Sequence, residues 1–62
     1  MSKEQLAAFL EFKIKYHAFV QTDTDLGNMD YDDQRIVSVE RKAKLFKAEA
    51  DEAERAFRAL FP

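Results

Sequence analysis

The stretch from residue 36 to residue 60, IVSVERKAKLFKAEADEAERAFRAL, decides the fold. Taken in steps of three and four it gives Ile36, Val39, Ala43, Phe46, Ala50, Ala53, Phe57 and Leu60, with no polar residue in the series. Two apolar positions per heptad, kept up to the end of the stretch, are the pattern of a helix packed lengthwise against other helices, as in a coiled coil. The intervening residues are mostly charged. Glu40 with Lys44, and Glu54 with Arg58, stand four apart with the acid on the N-terminal side, and each such pair contributes about 0.2 to 0.5 kcal/mol on a solvated face. The stretch therefore reads as an amphipathic helix with one edge made for a partner.

Toward the N-terminus the pattern changes character. Asp30, with Asp33 three residues on, is an N-cap signal, and aspartates in a first turn oppose the positive end of the helix dipole. This predicts the second helix over about residues 31–61. Before it, Thr22, Asp23, Thr24 and Asp25 are poor helix formers, and Gly27 suits a left-handed position after a helix end. A connection is predicted over 25–30. Further back, Ser2 followed by Gln5 has the spacing of a capping box, so the first helix is expected over about 3–24.

The first helix is apolar over more than one stripe. Phe9, Phe12, Tyr16 and Phe19 form an aromatic edge, whereas Leu6, Leu10, Ile14 and His17 form an aliphatic edge beside it. Together they span roughly 220°, about twice what one neighbouring helix covers. A short turn between two long helices gives an antiparallel hairpin. Folded about Asn28, the hairpin sets Phe19 beside Val39, Tyr16 beside Ala43, Phe12 beside Phe46, Phe9 beside Ala50 and Leu6 beside Ala53. The second helix then overhangs the first by roughly two turns. That overhang carries Phe57, Leu60 and Phe61, which with Leu6, Leu10, Ile14 and His17 make the expected interface.

The chain has 62 residues, no cysteine and a single histidine, so neither a disulfide nor a His/Cys zinc site reinforces it. Residues 1–62 are read as one domain. Chains this small usually need a staple or a partner, and self-association into a four-helix bundle, a homodimer first of all, is the expected route. No apolar run reaches the roughly 18 residues of a membrane span, and the opening residues lack the basic-then-apolar layout of a signal peptide. The expected setting is cytoplasmic. Ten basic residues against twelve acidic ones give a net charge of −2, so there is no electrostatic reason to expect nucleic acid.

Two clusters invite a chemical reading. Asp23, Asp25, Asp30, Asp32 and Asp33 crowd the connection, but against a calcium loop Asn28 takes the place of the required glycine and Gln34 that of the bidentate glutamate. They read as a capped, solvated turn, and no metal or cofactor is expected. Lys13 and His17 lie one turn apart, with Lys13 inside the apolar arc, and offer a possible ligand-binding pair for a small anion; the plainer alternative is a lysine that lays its stem along apolar neighbours. No nucleophile-base pair, phosphate loop or paired acids point to an enzyme.

The length, the hairpin and the turn Asp30-Tyr31-Asp32-Asp33-Gln34 are similar to the Rop family of plasmid RNA-binding proteins. That resemblance implies a dimer of hairpins and RNA contacts from a polar, basic face of the first helix. Here Lys3 and Lys13 remain on that helix and much of the rest is apolar. The expected function is thus a small non-enzymatic helical interaction module, a regulatory or inhibitory protein binder, with a Rop-like RNA-binding dimer or an anion-sequestering bundle as the alternatives.

Overall fold

The chain begins its first helix by the means its spacing predicts. Ser2 Oγ accepts the Gln5 amide N–H at 3.1 Å, and Gln5 Oε1 accepts the Ser2 N–H at 2.8 Å. The computed structural model describes Met1 to Pro62 and places them in two helices, α1 over Lys3–Gly27 and α2 over Ile36–Arg58. They pack side by side as an antiparallel hairpin measuring 47 × 13 × 12 Å.

α1 runs past its expected end. Thr22 turns its hydroxyl onto the Ala18 carbonyl at 2.9 Å, which satisfies it inside the helix, and Leu26 is half-buried in the last turn. Packing there outweighs the weak helix propensity of the threonines and aspartates. Gly27 is not left-handed, since no residue of the chain has a positive φ. Instead the Asn28 N–H is shared between the carbonyls of Thr24 and Asp25, at 3.1 and 3.2 Å, a common way for a helix to close.

The connection is residues 28–35, longer and later than the expected 25–30. Asp33 organises it. Its N–H donates to the Asp30 carbonyl at 2.9 Å, while its carboxylate accepts the Arg35 backbone N–H at 2.8 Å and the Arg35 guanidinium at 2.9 and 3.2 Å. The N-cap of α2 is Arg35, which has no side-chain cap of its own; Asp33 instead holds Arg35 from two residues earlier, and Asp30 only supplies a turn carbonyl. The helix start expected near Tyr31 is corrected to Ile36 for this reason.

Moving the turn moves the register. Phe9 stacks on Phe57 with ring centroids 5.5 Å apart, and Gln5 Nε2 donates to the Leu60 carbonyl at 3.0 Å. Carried along the pair, this sets Phe12 level with Ala53, Lys15 with Ala50, Phe19 with Phe46, Thr22 with Ala43 and Leu26 with Val39. The expected neighbours of Phe9, Phe12 and Phe19 are each replaced by the residue one heptad further along α2. The two-turn overhang disappears with that shift, and the helices end together.

On α1 the half-buried positions Gln5, Ala8, Phe12, Lys15, Phe19, Thr22 and Leu26 alternate in steps of three and four along the seam of α2, with Phe9 and Ala18 half-buried beside them. Tyr16, expected in the seam, is half exposed at its margin. Along α2 the pairs foreseen from the sequence form, Glu40 with Lys44 at 3.2 Å and Glu54 with Arg58 at 2.8 Å.

Two outcomes are expected from this geometry. A Cβ at Gly27 meets nothing within 4 Å and needs no left-handed backbone, so Gly27→Ala should stabilise by about 0.4 to 1 kcal/mol through the unfolded state. A lowered melting temperature would instead support the left-handed end. Arg35 holds the Asp33 carboxyl at about 2, below its ordinary 3.8, chiefly through the side-chain hydrogen bonds and then the backbone one. A carboxyl depressed in the folded chain stabilises it above the ordinary pKa, and that contribution is lost as pH falls toward the folded value. Melting temperatures of the wild type and Asp33→Asn, measured from about pH 5 down to about pH 2, should converge as the pH drops.

Candidate functional site

A helix apolar on two sides leaves one of them without a partner in a hairpin. At about 100° per residue, Leu6, Leu10, Ile14 and His17 centre roughly 180° from the row through Phe12 and Phe19 that faces α2. Leu6, Leu10 and Ile14 are accordingly 48%, 52% and 71% exposed, and His17 is exposed among them. The aliphatic edge thus sits on the face of α1 turned away from α2.

Inside the hairpin very little is sealed. The only buried residues are Ala43, Ala50 and Ala53, and no large side chain is buried at all. Alanines in the seam let the half-buried rings of α1 lie over α2, but two helices cannot enclose those rings from every side. Lys15 lies in the seam, half-buried, with its ammonium paired to Glu11 at 3.3 Å.

The end of the hairpin is built from Phe57, Leu60 and Phe61 together with the first turns of α1. Phe57 lies between Phe9 and Phe61, whose ring centroid is 5.0 Å away, edge to face. Leu60 gives its carbonyl to Gln5, so the residue that caps the start of α1 also ties down the end of the chain. The overhang expected to carry these three residues is thus absent, although Leu60 and Phe61 keep 38% and 43% of their surface open.

Lys13 and His17 do not converge on a ligand cavity. Lys13 Nζ stands 5.7 Å from the centroid of the Phe9 ring, a cation–π approach that leaves its stem against the aromatic end. The one depression of the surface, about 310 Å³, is lined by Val20, Gln21, Thr24 and Asp25 of α1 and contains neither of them. In the connection no three metal-capable side chains come together; Asp33 is occupied by Arg35, and Tyr31 is almost fully exposed. The sequence reading missed Gln5 as a link between the two ends; its capping role was legible, whereas its second hydrogen bond depends on the register.

No family model, no curated protein and no solved structure matches the chain. No helix is long and apolar enough to cross a membrane.

The aromatic end can be checked by a double-mutant cycle. Phe9→Ala and Phe57→Ala should couple by about 0.5 to 1.5 kcal/mol in denaturant unfolding, the value of a packed aromatic pair. Additive losses would return Phe9 to the neighbourhood of Ala50.

Proposed function

We propose that the chain is a small non-enzymatic interaction module, which binds a protein partner through the outer face of α1 and acts as a regulatory or inhibitory binder. One observation carries the reading. A chain that buries only three alanines keeps a continuous aliphatic row, Leu6, Leu10 and Ile14, open on the far side of its most apolar helix. Exposed rows of this kind mark contact surfaces, and a chain with so little enclosed core has stability to gain from covering one. The side chains with the most chemical potential also support binding over catalysis: Lys13 stands over an aromatic ring, and His17 lies exposed within the aliphatic row.

The test is photo-crosslinking in living cells, with a photoreactive phenylalanine analogue at position 14 and, as the control, at position 44 on the outer face of α2. A discrete adduct from position 14 that is absent from position 44 is the expected result. Equal labelling from the two positions, or none from either, would overturn the function.

A further inference from the structure

We infer that the occupant of the outer face of α1 is a second copy of this chain, seated α1 against α1 about a two-fold axis. The inference rests on the proposed binding function and names its partner. The first ground is area. A folded monomer of 7.2 kDa normally exposes about 4,100 Å², whereas this hairpin exposes 5107 Å². The surplus of roughly 1,000 Å² is close to the roughly 800 Å² that each partner contributes to an interface of standard size. Shape says the same: the radius of gyration is 14.4 Å, against about 10.6 Å for a compact domain of this length.

The second ground is which face can pair with itself. A two-fold interface uses the same patch on both copies, so the patch must tolerate its own image. On α1 the row Leu6, Leu10 and Ile14 runs at steps of four with Lys3 and His17 only at its two ends, and Lys13 at its margin already directs its ammonium toward Phe9. The outer face of α2 has Val37 and Leu45, but Arg41, Glu52 and Arg55 stand among them. Pressing that face against its image would desolvate three charged side chains for every two large apolar ones it buried. The aromatic end is a poorer candidate, because Phe57 is already held between Phe9 and Phe61.

Sedimentation equilibrium of the purified chain at tens of micromolar should give twice 7.2 kDa, with a melting temperature that rises with concentration. Leu10→Glu with Ile14→Glu should weaken the dimer by at least about a hundredfold. Val37→Glu with Leu45→Glu should leave it intact. A readout that needs no variant is isotope-filtered NMR of a mixture of labelled and unlabelled chains. It should show contacts from the Leu6, Leu10 and Ile14 methyls to the other copy; contacts arising from Val37 and Leu45 instead would overturn the α1 pairing. A chain that stays monomeric and fully helical would overturn the second copy as occupant. If position 14 nevertheless crosslinks to a different protein in cells, the binding function stands without the dimer; if it crosslinks to nothing, both fall.

Discussion

The register between the two helices is the constraint on which the rest of this structure depends. Both seams repeat every seven residues, so sliding one helix along the other by a heptad presents a similar sequence of large and small residues. Side-chain pattern alone cannot choose between such alignments; the turn must. Asp33, by gripping the backbone and guanidinium of Arg35 just ahead of α2, shapes the connection at residues 28–35, and with that connection Phe9 meets Phe57 and Gln5 meets Leu60. A hydrogen-bonded carboxylate at one end of the hairpin is answered by aromatic packing at the other.

From that alignment follows the division of labour between the helices. α2 contributes small residues to the seam and charges to solvent, and needs one neighbour. α1 contributes rings to the seam and an aliphatic row to the opposite face, so it needs two. Burial of three alanines is what a hairpin can achieve with one neighbour per helix. The row left uncovered on α1 is the physical basis for the binding role proposed for this chain. It also moves the emphasis from the end of α2, which the register has already covered in part, to the middle of α1.

Departures from expectation have identifiable causes. Thr22 to Asp25 are weak helix formers taken singly, yet Thr22 bonds to Ala18 and Leu26 finds a place in the seam, so the helix continues to Gly27. The α1 seam was hidden in the sequence because Gln5, Lys15 and Thr22 hold positions that apolar residues usually fill. The conspicuous aromatics drew the expected stripe toward Tyr16 instead. Lys13 and His17 looked like a pair by spacing; in the structure Lys13 stands beside Phe9, and the one surface depression contains neither residue.

The sequence by itself determined the helical class, the capping box at Ser2 and Gln5, the seam of α2 and its charged outer face, and the fact that α1 is apolar over more than one neighbour can cover. Each of these is local or strictly periodic, and needs only steps of three and four along one chain. Where the turn lies, which heptad meets which, and which face of α1 is left open were decided by the tertiary structure. These depend on the connection between the helices, where one carboxylate and its hydrogen bonds select among alignments that the heptad repeat makes nearly equivalent.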